Sequence, residues 1–384
     1  MKKILFISPR NPFSGRYSGD VIRAKKFIYF LSKNNYVKVM SLDAQNSRKK
    51  ESKLNYEGFD HPNFISKAFY IFRSLLKFKP LQLGYFYSPK IDEYVKNNHQ
   101  NYDLIFFQSF RAAQYLPKNF KKNSILDMAD LVSKNYEQTS KRLFFFNPIR
   151  IIYFIESLLL KRYEKICFNN FQKILLHSKK EINTVEKEYK KKITQYSFGI
   201  DNIKKKYKFN AKNYKIIFIG NIKYVPNKNA CFEFANKILP LIRKIYPNIE
   251  FHIIGEISKI DKFFLKQKPN VKIFNKVNNL EPYLNKVICG LANLKISSGI
   301  QTKLLTYMSY GIPSVCSQQV AENFDAIKES KINFYRNNEE MIKIILKLKR
   351  NKNFSLSSSK RALQTIKKFK WDKIILPVLK KVLN

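Results

Sequence analysis

The sequence predicts an α/β protein built from two Rossmann-like domains. Short runs rich in β-branched and aromatic residues alternate with longer helical patterns, and this alternation occurs twice along the chain, as in βαβ units around a mostly parallel sheet. At 384 residues the chain exceeds the length at which a single hydrophobic core keeps growing. With 45% hydrophobic and 15% aromatic residues, each half has enough apolar side chains to bury a core.

The first series of elements occupies residues 1–202, the predicted N-terminal domain. A helix is expected near residues 20–33, and strands are expected at residues 4–8, 37–42, 104–108, 124–127 and 173–177. Their short length and their β-branched and aromatic composition are typical of buried strands.

The second series occupies residues 214–354, with strands expected at residues 214–220, 250–255, 271–274, 287–291 and 314–317. Residues 203–213, rich in Lys and Asn, are the predicted linker between the domains. Residues 355–384 contain the only tryptophan, Trp371. They are expected to form a C-terminal helix that packs back on the N-terminal domain.

The net charge of +45 arises from 73 Lys and Arg against 28 Asp and Glu. Such a charge can indicate nucleic acid or an anionic membrane as a partner. The cations are mostly Lys, spread over the chain among abundant Asn, Ile, Phe and Tyr, which favours compositional bias over a dedicated nucleic-acid site. We therefore expect no specific nucleic acid, keep a basic nucleic-acid-binding protein as the least favoured reading, and retain peripheral contact with an anionic inner membrane.

The cysteines and the apolar runs predict a cytoplasmic protein. Four cysteines lie far apart, without metal-ligand spacing, and so are expected to be reduced core residues, with no metal and no cofactor. The N-terminal apolar run is too short for a signal peptide. The most apolar stretch, residues 143–160, includes Pro148, Arg150 and Glu156, which predicts a buried helix, with a membrane-surface role as the alternative.

Glycine is scarce, with ten in the chain, and several lie where strands end. Gly19 precedes a helix and Gly220 ends a strand of the second domain. The segment Gly299-Ile300-Gln301-Thr302-Lys303 leads from a strand into a helix, so that backbone N–H groups, a hydroxyl and an ammonium converge. These groups suit a diphosphate. The alternative is a Ser-capped helix beside a chance lysine.

These segments resemble glycosyltransferase family 4, and within it a subgroup of sugar transferases associated with bacterial exopolysaccharide loci. The motifs are Phe218-Ile219-Gly220-Asn221-Ile222-Lys223-Tyr224-Val225-Pro226-Asn227, Ile253-Ile254-Gly255, Pro282-Tyr283-Leu284 and Gly299-Ile300-Gln301-Thr302-Lys303-Leu304-Leu305. The resemblance implies a GT-B fold, two Rossmann-like domains facing a central cleft. It also implies metal-independent transfer of a hexosyl or related group with retention, from a nucleotide-sugar to a polysaccharide, lipopolysaccharide or glycolipid acceptor.

The resemblance assigns roles to residues of both domains. Donor binding is expected of Gly19, Gly220, Asn221, Lys223, Lys228, Gly299, Ile300, Gln301, Thr302, Lys303 and Thr306. Arg10, Asp20 and Arg23 are expected on the acceptor side. The candidate catalytic residues are Lys303, Asp127 and Asp130, although both aspartates could instead cap the following helix.

Two features depart from the family pattern. Thr306 stands where the family usually has a glutamate that holds the donor ribose, and a hydroxyl cannot give the stronger charge-assisted bond. None of His61, His99, His177 and His252 is expected near Asp127 and Asp130, where many members place a histidine. The departure at Thr306 keeps open a catalytically silent homologue that binds a nucleotide or a partner transferase.

Overall fold

A computed structural model gives the fold and describes residues 1–14, 18–42, 48–51, 53–120, 122–144, 146–277, 279–295, 301–322, 324 and 332–383. The chain divides into two compact units. The first comprises Met1–Tyr196 together with Ile375–Asn384, and the second comprises Ser197–Ile374. Residues 203–213 and 355–374 therefore fall in the second unit.

The first unit is built around an eight-stranded sheet. Its strands are β1 (Lys3–Ser8), β2 (Tyr36–Leu42), β3 (Arg48–Glu51), β4 (Leu54–Phe59), β5 (Leu104–Gln108), β6 (Asn123–Ala129), β7 (Lys173–Leu176) and β8 (Ile193–Gln195). Their order is β3-β4-β2-β1-β5-β6-β7-β8. In the described pairings β3 runs antiparallel to β4 and all other neighbours are parallel. Every residue of β5 is buried, as expected for a parallel sheet covered on both faces.

Eight helices belong to the described part of this unit alone. They are α1 (Gly19–Ser32), α2 (Phe64–Leu76), α3 (Leu81–Tyr85), α4 (Pro89–Asn98), α5 (Val132–Arg142), α6 (Pro148–Asn170), α7 (Lys179–Thr184) and α8 (Lys187–Lys190). Helix α1 follows β1 and buries Val21, Ala24, Phe27 and Leu31. These residues recur at the three- and four-residue spacing of an amphipathic helix.

The second unit has six parallel strands, β9 (Lys215–Ile219), β10 (Glu250–Ile254), β11 (Val271–Phe274), β12 (Val287–Ala292), β13 (Ser314–Ser317) and β14 (Asn333–Tyr335). Their order is β11-β10-β9-β12-β13-β14, the 3-2-1-4-5-6 order of the doubly wound fold. In such sheets a ligand binds outside the carboxyl ends of the strands, where the strand order reverses. Here that point lies between β9 and β12.

The described residues from Ser197 onward contain the second set of helices. They are α9 (Val225–Glu233), α10 (Leu239–Ile245), α11 (Lys259–Lys266), α12 (Thr302–Ser309), α13 (Gln318–Glu322), α14 (Asn338–Arg350), α15 (Lys352–Ile366) and α16 (Trp371–Leu383). A π-helical turn, Phe234–Ile238, joins α9 to α10. Helix α16 begins in the second unit and ends in the first.

The expected single helix over residues 355–384 is wrong, because the chain bends between α15 and α16. Lys370 is extended there and pairs with Ile200. The backbone N–H of Ile200 donates to Phe369 O and the N–H of Trp371 donates to Ile200 O. Trp371 is 4% exposed and lies against Gly199, where an added Cβ would approach the indole to 2.6 Å. Tertiary packing therefore outweighs helical continuity.

The expectation of a buried helix over residues 143–160 is also wrong. Helix α6 begins only at Pro148, and one face buries Glu156, Leu160 and Glu164. The opposite face exposes apolar side chains, among them Ile151 at 62% and Leu158 at 53%. Within the described ranges, no helix combines the length and apolar character needed to cross a bilayer.

The cysteines lie where their spacing predicts. Cys167, Cys231, Cys289 and Cys316 are free and buried. Burial raises the pKa of each thiol, so all four are protonated at neutral pH.

Candidate functional site

Two glycines bring the strand ends of the second unit into close contact. Gly255 follows β10 with φ +148°, and a Cβ there would lie 1.8 Å from Gly220 O. A Cβ on Gly220 would lie 3.2 Å from Asn227 Nδ2 and 3.5 Å from Lys303 Cε. The scarce glycines at these strand ends therefore permit an approach that a side chain would prevent.

We expect Gly255→Ala to destabilise the protein by about 2–4 kcal/mol, since it adds a backbone clash to an unfavourable φ. Urea unfolding measures the change. The neighbouring Glu256→Ala variant is the control, because Glu256 pairs only loosely with Lys223, at 3.8 Å, and should change stability by less than about 0.5 kcal/mol. Equal stability of the two variants would contradict the close contact.

Lys303 is the central cation of the second unit. It lies on the first turn of α12, is 6% exposed, and donates from Nζ to Asn227 Oδ1 over 2.7 Å. Its ammonium also lies 4.4 Å from the centre of the Phe218 ring. Burial lowers the pKa of Lys303 to about 7. No described carboxylate forms an ion pair with it, so an anion reaching this position would restore its charge.

Asn227 links Lys303 to the loop after β9. Its Nδ2 donates to Asn221 O over 2.8 Å, and Asn221 Oδ1 accepts from the backbone N–H of Lys223 over 3.0 Å. The loop bearing Gly220 and Asn221 is thus tied to the lysine through one buried amide. Asn227 had no predicted role; its place at the start of the helix after a glycine loop was the available signal.

The other two predicted cations have carboxylate partners. Lys228 Nζ lies 2.7 Å from Asp261 Oδ1, on a side chain that is 9% exposed. Lys223 Nζ lies 3.8 Å from Glu256 Oε2, with both side chains largely in solvent. The ammonium groups of these two lysines are thus directed toward carboxylates on or beside α11 and not toward the side chains of Lys303 and Asn227.

Helix α12 places the remaining donor-side residues. Gln301 precedes its first turn, Thr302 begins it, and Thr306 Oγ1 donates back to Thr302 O over 3.1 Å. Gly299 and Ile300 lie outside the described residues. The hydroxyl of Tyr307 accepts from the N–H of Ile219 over 2.9 Å and donates to Leu291 O over 3.1 Å. It therefore fixes α12 against β9 and β12, the two strands at which the order reverses.

A buried ion pair connects α1 to β6 in the first unit. Arg23 Nε lies 2.7 Å from Asp127 Oδ2, and Tyr196 donates to Asp127 Oδ1 over 2.5 Å. Asp127 is 0% exposed. Burial opposes the charge of Arg23, but Asp127 raises the pKa of the guanidinium overall. Both carboxylate oxygens of Asp127 are thus occupied by internal partners.

A second ion pair lies at the start of α1. Arg10 Nη1 is 2.7 Å from Asp20 Oδ2, and both side chains are partly exposed. Burial opposes the ionisation of Asp20, but Arg10, a hydrogen bond from Ser18 and Arg23 together lower its pKa. The side-chain Nε2 of Gln108 donates to the backbone oxygen of Asp20 over 3.1 Å. Gly19 begins the helix beside this pair.

Asp130 has a histidine neighbour, contrary to expectation. His177 follows β7, the neighbour of β6, and its Nδ1 lies 3.8 Å from Asp130 Oδ1. Burial and the charge of Arg23 lower the pKa of His177, so the ring is neutral at pH 7. The missed signal was topological, because the carboxyl ends of adjacent parallel strands meet at one edge of the sheet.

Asp130 and His177 form a polar cluster with Glu181. Among the described residues, Asp130 Oδ1, His177 Nε2 and Glu181 Oε1 are buried without a hydrogen-bond partner. Burial raises the pKa of Asp130, with Asp127 adding to the shift. Burial and Asp130 raise the pKa of Glu181 to about 8. Unsatisfied buried polar atoms are costly, and the side chain of Asp130 is still 33% exposed. Asp130 therefore offers an acceptor toward solvent that Asp127 does not.

Both the sequence and the fold of this chain resemble those of known proteins. Residues 213–351 match the family described as Glycosyl transferases group 1, and this range includes Gly220, Asn227, Gly255 and Lys303. In the described part of the chain, no three or more His, Cys, Asp or Glu side chains are grouped so that they could hold a metal ion.

One curated relative extends the match. Over 213 residues the chain is 28% identical to an uncharacterized 44.6 kDa protein in the cps region of Klebsiella pneumoniae. The aligned part covers 54% of this chain and 52% of the relative, so the chain spans about half the length of the curated relative it matches.

Solved structures match over nearly the whole chain. Sucrose-phosphate synthase from Thermosynechococcus elongatus gives a TM-score of 0.71 at 13% identity, covering 99% of this chain and 98% of that one. HepE from Anabaena, solved with UDP and glucose, gives 0.69 at 10% identity over 100% of both chains. WaaG, a glycosyltransferase involved in lipopolysaccharide biosynthesis, gives 0.69 at 11% identity over 99% of both chains. The chain therefore has the expected GT-B fold of two Rossmann-like domains.

Proposed function

We propose that the protein transfers a hexosyl or related group, with retention and without a metal, from a nucleotide-sugar to a polysaccharide, lipopolysaccharide or glycolipid acceptor. The observation that carries the proposal is Lys303, a buried ammonium that forms no ion pair with any carboxylate among the described residues. It lies on the helix after β12, beside the point at which the strand order of the second sheet reverses. Its position and charge suit a leaving nucleoside diphosphate.

We propose that the second unit assists the reaction by electrostatic stabilisation of the leaving group. As the bond from the sugar to the diphosphate breaks, negative charge grows on the leaving phosphate oxygens. Donors fixed in a site that excludes water stabilise that charge more than solvent would. Lys303 supplies an ammonium, and the N–H groups at the start of α12, from Thr302 onward, supply the positive end of a helix. Asn227 holds the lysine side chain in position.

In the first unit we propose Asp130, and not Asp127, as the group that meets the transferred sugar or the acceptor. Asp130 keeps a third of its side-chain surface open to solvent, whereas Asp127 is enclosed and doubly bonded. The raised pKa of Asp130 also makes its carboxylate a stronger base toward a hydroxyl. Arg10 and Asp20 are proposed to bind the acceptor from the start of α1.

Thr306 is the observation that favours a second candidate. Its hydroxyl donates to the backbone of its own helix and supplies no carboxylate for a ribose. A silent homologue that binds a nucleotide or a partner transferase would need no strong ribose contact. With either function, we propose that the protein is cytoplasmic and acts at the inner membrane face.

A panel of donors distinguishes these functions. Thermal unfolding with UDP-, GDP- and ADP-sugars at millimolar concentration should show one nucleotide series raising the midpoint, because ligand at about 100 times its Kd stabilises the native state by about 2.7 kcal/mol. The stabilising donor is then incubated with candidate acceptors, and released nucleoside diphosphate is measured. Stabilisation without release would favour the silent homologue, and no stabilisation by any donor would refute the transferase.

A further inference from the structure

The outward side of the first unit carries two unusual apolar faces. Helix α2 buries none of its residues. Ile65, Phe69, Phe72 and Leu76 recur on it at the i, i+4, i+7 and i+11 positions that share one face, and they are 78%, 59%, 58% and 65% exposed. In a globular protein the apolar face of a helix normally packs against the core. This face of α2 is exposed instead.

Helix α6 shows the same feature along part of its length. Ile151, Phe154, Ile155 and Leu158 lie on its solvent side and are 62%, 52%, 43% and 53% exposed. On the same side the following turns carry Lys161 and Arg162. The exposed face thus changes from apolar to cationic along the helix.

The two helices are neighbours. The guanidinium of Arg162 lies 5.8 Å from the centre of the Phe78 ring, just after α2, and α3 begins against α6 through bonds from the N–H groups of Leu81 and Gln82 to Glu156. The apolar stripes and the cations between them therefore belong to one side of the first unit.

The charge around these stripes has a single sign. Residues 64–79 contain no Asp or Glu and include Arg73, Lys77 and Lys79. Burial and the neighbouring charges of Lys77, Arg73 and Lys118 lower the pKa of Lys79. Both acids of α6 face inward, Glu156 toward α3 and Glu164 toward Ser133. A depression of about 460 Å³ on α6 is lined by Leu158 and Ile166 together with Lys161, Arg162 and Lys165.

We propose that the outward faces of α2 and α6 form a membrane-binding surface that inserts its apolar stripes into a bilayer and holds anionic headgroups with its cations. An amphipathic face rich in Phe and Ile and bordered by Lys and Arg partitions in this way. A second copy of the chain is disfavoured as the occupant, because each copy has a net charge of +45 and the two basic faces would repel each other. The inference goes beyond glycosyl transfer and does not depend on it.

Co-sedimentation of the full-length protein with vesicles tests the surface. We expect binding to phosphatidylcholine vesicles containing phosphatidylglycerol, and little binding to phosphatidylcholine alone. Phe69→Ser/Phe72→Ser should weaken binding about tenfold or more, as expected for two aromatic rings withdrawn from an apolar phase. The matched control is Phe263→Ser/Phe264→Ser on α11, where both rings are also exposed, at 62% and 49%, and it should bind as the wild type does.

The cations are tested separately. Arg73→Gln/Lys77→Gln/Lys79→Gln should weaken binding at least as strongly, and more so at low salt. Lys237→Gln/Lys244→Gln/Lys266→Gln removes three exposed charges from the second unit and should have little effect. Unchanged thermal unfolding of each variant confirms that it folds.

Insertion has its own signature. The one native tryptophan, Trp371, is buried, so a Phe72→Trp variant adds an exposed indole over a constant background. Its emission should shift to the blue on vesicles and be quenched by lipids brominated on the acyl chains. The proposal is overturned if the wild type ignores anionic vesicles, if the Phe69 and Phe72 variant binds like the α11 control, or if that variant only dissociates a dimer.

Discussion

We expect the Lys303→Met variant to lose sugar transfer and, at the same time, to be more stable than the wild-type protein. The loss should be about 10²–10³-fold or more in kcat, the usual cost of removing one fixed donor from a developing negative charge. The gain in stability arises because the native fold buries an ammonium whose pKa is lowered to about 7 by that burial. Methionine fills a similar volume without a charge. We expect about 1–3 kcal/mol below pH 7, after allowance for the lost bond to Asn227.

The pH dependence follows from the direction of the shift. The ordinary pKa of a lysine is 10.5 and the native pKa of Lys303 is about 7, so between these values the unfolded chain binds more protons. The contribution of Lys303 to the free energy of unfolding therefore rises with pH across that window. Urea unfolding at pH 6 and pH 9 should show the advantage of Lys303→Met shrinking as the pH rises.

Lys215→Met is the matched control for this variant. Lys215 is a second buried lysine of the same unit, 9% exposed, and burial also lowers its pKa. It bonds to Asn285 at the opposite end of β9 from Gly220. Its replacement should leave transfer intact. Transfer that survived in Lys303→Met would remove the phosphate role from this residue.

We expect Asp127→Asn to lower the free energy of unfolding of the first unit by about 3–5 kcal/mol, the usual cost of removing one partner of a buried ion pair. The amide keeps the size of the side chain but has one acceptor oxygen for the two donors, Arg23 Nε and Tyr196 OH. Arg23 then remains charged and buried without its counter-ion. The change is measured as the free energy of unfolding in urea.

Two further variants define that result. Asp20→Asn breaks the more exposed pair with Arg10, with side chains 25% and 41% exposed, and should cost no more than about 1 kcal/mol. Arg23→Met/Asp127→Leu removes both buried charges and should be more stable than Asp127→Asn. If Asp127→Asn instead kept full stability and lost transfer, Asp127 would be catalytic, as its position in the sequence first suggested.

The strands were the most predictable part of the fold. The expected runs at residues 104–108, 271–274 and 314–317 coincide with β5, β11 and β13. Every residue of β5 and β13 is buried, as is typical of strands covered on both faces. The strands β3, β4, β8 and β14 were missed. All four are at or next to the edges of their sheets, and β8 and β14 span only three residues each, too few for a periodic signal.

The candidate site was predictable where a motif is local in the sequence. Lys303 and Gly220 are neighbours in the structure, as the motifs indicated. His177 was missed because its approach to Asp130 depends on the pairing of β6 with β7. The ion pair of Lys228 with Asp261 was also not predictable, because Asp261 lies on a different helix. The prediction of a buried helix at residues 143–160 was wrong because apolar composition alone does not reveal which face of a helix is exposed to solvent.

The four buried cysteines give the protein a built-in reporter of unfolding. One thiol, Cys167, is in the first unit, and Cys231, Cys289 and Cys316 are in the second. A thiol reagent can modify them only when the surrounding structure opens, and mass spectrometry of the labelled peptides identifies which cysteine reacted. The labelling rate at each position therefore measures the local opening of each unit in the unmodified protein.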